Sequence, residues 1–138
     1  YHDLNSHFFP ALIKKIHYVK KNSKKKLVLW GNGLAKREVI YVDDLADACI
    51  YFMNKKVQES VINIGTGKDY SIRDYLKLII KLIIPNKKIK IQYDKTKPNG
   101  TPRKVLDVSL AKKYGWRAKT TLKDSILKTY ISYLKEIK

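Results

Sequence analysis

Between Lys97 and Ser109 the chain packs two turn-forming pairs, two adjacent cations and a helix start into one short stretch. Pro98-Asn99-Gly100 reverses the backbone, because Pro presets φ while Asn and Gly accept a positive φ. Thr101-Pro102 stiffens the return and brings Arg103 and Lys104 forward together. A guanidinium beside an ammonium on a stiffened loop suits a phosphate or pyrophosphate, the first as a planar fork and the second as a point charge. A surface turn running into a capped helix satisfies the same residues, and local sequence alone does not separate the two readings. Other familiar chemistry is missing. Gly65-Thr66-Gly67 follows an apolar run, but Tyr70 stands where a dinucleotide loop needs its third glycine. The chain has no Walker A loop, no His/Cys metal cluster and no G-x-S-x-G elbow. It carries no complete catalytic apparatus, and no metal is expected.

The elements that must hold these residues alternate, which predicts an α/β fold. Phe9, Leu12, Ile13, Ile16 and Val19 recur at helical steps, so residues 6–21 read as a helix with Pro10 tolerated near its first turn. Strands are predicted at 26–30, 38–42, 61–65 and 89–93. Asp43 or Asp44 is placed to cap a helix over 45–54. Ser71-Ile72-Arg73-Asp74 reads as a capping box for a helix ending near Ile84, ahead of Pro85. A short helix from Ser109 closes at Gly115, and a last one starts at Thr121 with Asp124 as capping partner. No repeat or low-complexity linker divides the chain, which reads as one unit.

Composition narrows the partners. The 138 residues carry 30 Lys and Arg against 12 Asp and Glu, a formal charge of +18. Such a balance raises nucleic acid or another polyanion as a ligand. Only Arg37, Arg73, Arg103 and Arg117 are arginine, however, and base readout favours arginine. The lysines are spread over helix faces and loops, so no nucleic-acid partner is expected. No long apolar span suggests a membrane partner, and the single Cys49, on an apolar helical face, fits a reducing cytoplasm and is given no chemistry. A start at Tyr1, with no initiator Met and no signal-peptide pattern, suggests a piece of a longer protein.

Three segments in order resemble the second half of the extended short-chain dehydrogenase/reductases, a group rich in nucleotide-sugar enzymes. They are Arg37–Ala48, Ile62–Gly67, and Tyr114-Gly115-Trp116 ahead of Leu122. Asn5-Ser6-His7 before Pro10–Ile13, Trp30-Gly31-Asn32-Gly33 and the Lys97–Ser109 stretch narrow the likeness. They are similar to members that epimerise GDP-4-keto-6-deoxy-D-mannose at C3 and C5 and reduce it at C4 with NADP(H). The resemblance implies the substrate-binding part of a Rossmann-fold enzyme, with short strands and about five helices, over residues 1–138. The cofactor half, with its Gly-rich loop, Tyr-x-x-x-Lys pair, Ser and acid/base Cys, would lie outside this sequence, and this part alone would be inactive. It implies that His7 is the catalytic acid/base and touches the edge of the cofactor; an imidazole suits proton traffic near neutral pH. It implies that Lys15, Trp30, Arg37, Asn99, Arg103 and Lys104 bind the GDP-sugar, with Arg37 on the diphosphate. It implies a homodimeric, cytoplasmic parent. Asn99 departs from the Asp common at that position. His2 and His17 read as structural. Another GDP-sugar epimerase/reductase, such as one acting on a keto-heptose, stays open, as do a polyanion-binding module and a non-catalytic scaffold.

Overall fold

The computed structural model describes residues 6–137; His2 and Asn5 lie outside the described residues. In chain order the elements are α1 (Phe8–Lys21), β1 (Lys26–Trp30), β2 (Lys36–Glu38), α2 (Val42–Met53), β3 (Asp69–Ser71), α3 (Ile72–Ile83), β4 (Lys90–Asp94), β5 (Arg103–Lys104), α4 (Ser109–Lys113) and α5 (Leu122–Glu136). β1 and β4 form a parallel pair in the register Lys26↔Lys90 to Trp30↔Asp94. A second sheet has the order β3-β2-β5, antiparallel at β2–β3 and parallel at β2–β5.

The helical periodicity of α1 buries Leu12, Ile13, Ile16 and Val19 against α3, whose Leu76 and Ile79 are fully covered. Leu27 and Leu29 of β1 and Ile126 of α5 complete this core. A smaller cluster gathers Ala48, Ala111 and Trp116. Both local capping predictions hold. Ser71 and Asp74 form a reciprocal capping box on α3, and Thr121 caps α5 by accepting from the Asp124 amide.

Three expectations fail for non-local reasons. Residues 61–65 and 39–41 have strand composition, yet a strand is defined by its ladder, and no described segment pairs with either. Neither Asp43 nor Asp44 caps α2; the helix begins at Val42 with Tyr41 at its cap, and both carboxylates fall in the first turn. Asp44 is instead drawn inward, where it accepts from the Thr120 amide and hydroxyl, both at 2.9 Å. The outer face of α2 stays bare: Val42, Leu45, Ile50 and Met53 are exposed, with Cys49 among them, and Val61 is 73% exposed nearby in sequence. Among the described residues no helix is long and apolar enough to cross a membrane.

Candidate functional site

Parallel strands deliver their following loops to one edge, where ligands of α/β sheets sit. Here β1 delivers Gly31–Gly33 and β4 delivers Lys95–Thr101. Trp30 ends β1 and is 55% exposed. Lys15, two turns into α1, donates to the Val28 carbonyl at 3.1 Å and lies 5.6 Å from the centre of the Trp30 ring. Burial of its stem lowers the Lys15 pKa. Lys97 approaches the same ring from the β4 loop, 5.4 Å from its centre. Asn99 Oδ1 accepts from the Asn32 amide at 2.7 Å. That bond fixes the orientation of the Asn99 side chain and leaves its Nδ2 as a donor. Gly31, at φ 65°, admits the contact, because a Cβ there would collide with Asn99 Oδ1. Lys15, Trp30 and Asn99 are thus brought together, and Lys97 joins them unannounced by the sequence.

The second sheet carries the remaining cations. Arg37 faces Lys104 across β2–β5, while Lys36 faces Arg103. Because successive strand residues alternate faces, Arg37 and Lys104 share one side and Arg103 takes the other. The expected pairing of Arg103 with Lys104 is therefore split, and the pleat is the reason. Arg37 Nη1 donates to the carbonyls of Lys36 and Thr101, each at 2.7 Å, so its fork is held in place without a carboxylate. The neighbouring Glu38 and Asp43 make no ion pair with it. Arg103 donates through Nε to Asp69 at 2.5 Å, with Nη2 on the second oxygen at 3.3 Å.

That hydrogen bond, reinforced by the charge of Arg103, holds the Asp69 carboxyl below its usual range. A carboxyl lower in the folded than in the unfolded chain adds stability above its unfolded value, near pH 4, and loses it as pH falls through the lower folded value. Wild type and Asp69→Asn, unfolded in urea between about pH 6 and pH 2, should therefore converge in stability as the pH drops. Parallel curves would remove Asp69 from the acid response.

Glu38 is a residue the sequence gives no reason to select. Its carboxylate accepts from the amides of Thr66, Gly67 and Leu106, at 2.5, 2.6 and 2.7 Å, and from the Thr66 hydroxyl at 3.1 Å. The Gly-Thr-Gly loop is thus an anion-binding turn whose anion is the chain's own side chain. A Cβ on Gly65 would strike that carboxylate. His7 caps α1 with its backbone but makes no side-chain capping bond, and its ring is exposed. Beside it, Phe8 packs on Tyr75 with ring centres 5.5 Å apart, and the Tyr75 hydroxyl donates to the Arg37 carbonyl at 2.9 Å. His7 is linked in this way to the strand that carries Arg37. Burial raises the Tyr75 pKa far above the ordinary tyrosine range, so this hydroxyl is a fixed donor. His17, read as structural, bonds Tyr130 through Nδ1 at 3.0 Å in the α1–α5 contact.

Residues 1–65 match the model of the NAD dependent epimerase/dehydratase family. The chain is 39% identical to "GDP-L-fucose synthase 1" of Arabidopsis thaliana over 99% of its own length and 42% of the plant protein. It is 41% identical to "GDP-L-colitose synthase" of Yersinia pseudotuberculosis, over 96% of this chain and 42% of that protein. Among solved structures, the GDP-mannoheptose C4 reductase of Campylobacter jejuni, with NADP bound, superposes with a TM-score of 0.79 at 30% identity, over 94% of this chain and 45% of that one. The chain spans less than half the length of the curated relatives it matches. The likeness runs along nearly all of this chain, and its short strands and five helices form the same α/β fold as the superposed reductase.

Proposed function

We propose that this chain is the substrate-binding segment of an NADP(H)-dependent enzyme that converts GDP-4-keto-6-deoxy-D-mannose to GDP-L-fucose. The observation that carries the reading is the set of cations around an exposed indole at the β1–β4 edge, Lys15 and Lys97 on Trp30, with the carbonyl-locked Arg37 fork on the adjoining sheet. It matches a diphosphate attached to a flat base. In the resulting assignment Trp30 and Asn99 meet the nucleoside, while Arg37, Lys104 and Lys15 meet the diphosphate. Arg103 contributes through the edge of its guanidinium not held by Asp69. His7 exchanges protons at the sugar carbons flanking the ketone and borders the nicotinamide.

The cofactor half is assigned to a part of the protein outside this sequence, docked on the bare face of α2. The parent is proposed to be a cytoplasmic homodimer with no nucleic-acid partner; the single cysteine and the few arginines support that assignment. A second reading has a specific support. The relative named for GDP-L-colitose is 41% identical and the GDP-mannoheptose reductase superposes with a TM-score of 0.79, so a different 4-keto sugar on the same GDP handle is the alternative. Product analysis with each keto sugar separates the two.

The chain by itself should bind GDP weakly and NADPH hardly at all, since it holds the phosphate-facing cations and no dinucleotide loop. Calorimetry with both ligands tests this. NADPH binding as tight as in a complete reductase would refute the division of labour.

A further inference from the structure

We propose that Arg73 is a positioning residue of the nucleotide pocket, holding the loop tip between Trp30 and Arg37 from the first turn of α3. Its Nη2 donates to the Asn32 carbonyl at 3.2 Å, and its guanidinium lies 4.9 Å from the centre of the Tyr93 ring on β4. The amide of the same Asn32 is held by Asn99 at 2.7 Å. One residue thus has its N–H and its C=O gripped from two different elements. It sits between Gly31 and Gly33, at φ 65° and 71°, where the backbone is otherwise free to swing.

Two further bonds show why this grip is separable from the fold. The Ile72 and Arg73 amides, first-turn donors with no partner inside their helix, reach the Ala35 and Gly33 carbonyls at 3.0 and 2.9 Å. They anchor the base of the loop through the backbone and persist whatever side chain stands at 73. The side chain governs only the tip. It does so at a cost, because Arg73 Nε is buried with no hydrogen-bond partner. No carboxylate pairs with it among the described residues. All but four of the 30 cations in this chain are lysine. A lysine here would reach a carbonyl without leaving an orphaned N–H, whereas only a planar guanidinium can both lie on Tyr93 and present an N–H to Asn32. The arginine suits placement of the tip better than it suits stability.

The claim that the tip borders a nucleotide rests on the function proposed above; the grip on Asn32 does not. Arg73→Met, Asn99→Ala and the double variant would be made in the full-length protein. Amide exchange at residues 31–34 would be followed without ligand, GDP affinity by calorimetry, and KM and kcat by turnover. Arg73→Met should speed exchange at 31–34, weaken GDP binding by about tenfold and raise KM while kcat stays within about twofold. The double variant should be little weaker than the weaker single one, because both substitutions release the same residue. If Arg73→Met does not fold, Arg73→Leu, which likewise removes every side-chain N–H, carries the same readings. Unchanged exchange at 31–34 in a folded variant, or losses that simply add, would overturn the proposal. Should the wild-type protein fail to bind GDP, the nucleotide reading falls, and exchange at 31–34 still decides the role of Arg73.

Discussion

Substituting His7 by Gln in the full-length enzyme is expected to cut proton exchange at the sugar carbons beside the ketone by about 10²–10⁴-fold, while hydride transfer suffers far less. A 4-keto group acidifies the protons on its neighbouring carbons, and moving them needs a group that titrates near neutrality. A carboxamide of similar shape cannot carry a proton. Position 7 is suited to the exchange, since the ring is exposed and no capping bond ties it to α1. Ketone reduction would keep the Tyr and Lys implied for the cofactor half. The assay sets deuterium incorporation from solvent at C3 and C5 beside NADPH oxidation. Undiminished incorporation at both carbons in the folded variant would leave His7 as a helix cap and nothing more.

Glu38→Ala is expected to cost about 2–3 kcal/mol of folding stability, large for a partly covered surface carboxylate. Four donors converge on it, three of them backbone amides. Removing the acceptor strands the part-buried Thr66 amide, at a cost of about 1–3 kcal/mol, whereas the exposed Gly67 and Leu106 amides can turn to water. The damage should be directional. Leu106, two residues past Lys104, loses its tether, so the β5 strand that faces Arg37 loosens with it. Glu38→Gln keeps one carbonyl oxygen and should lie between the two. Urea unfolding of the three proteins measures the order; an alanine variant within about 1 kcal/mol of wild type would mean that water replaces the carboxylate.

What the sequence made legible was local. The α1 periodicity, the capping box on α3, the Thr121 cap on α5 and the Gly115 helix end each depend on residues within one or two turns of one another. The reversal expected at Pro98-Asn99-Gly100 falls instead at Lys95-Thr96, closed by the Lys97 amide on the Asp94 carbonyl, and only Gly100 keeps its positive φ of 71°. What escaped depends on partners far along the chain. The strands β3 and β5 are three and two residues long, too short for a pattern, and exist because β2 lies between them. The Arg103–Asp69 pair was not legible because its two residues stand 34 positions apart. Glu38 and Arg73 were passed over for the same reason, since their partners come from other elements. Asp44 misled in the opposite sense: a good capping residue beside a helix start was claimed by Thr120, 76 residues on.

The two tryptophans occupy opposite environments. Trp116 is 3% exposed and donates its indole N–H to Asp47 at 2.9 Å, whereas Trp30 stands in solvent beside two ammonium groups. Optically, the chain therefore contains an internal standard and a probe. An anionic quencher such as iodide will be drawn to Trp30 by Lys15 and Lys97 and leave Trp116 bright, and a cationic quencher will be repelled from the same ring. Occupation of the β1–β4 edge can be followed by fluorescence from one residue, with no label attached.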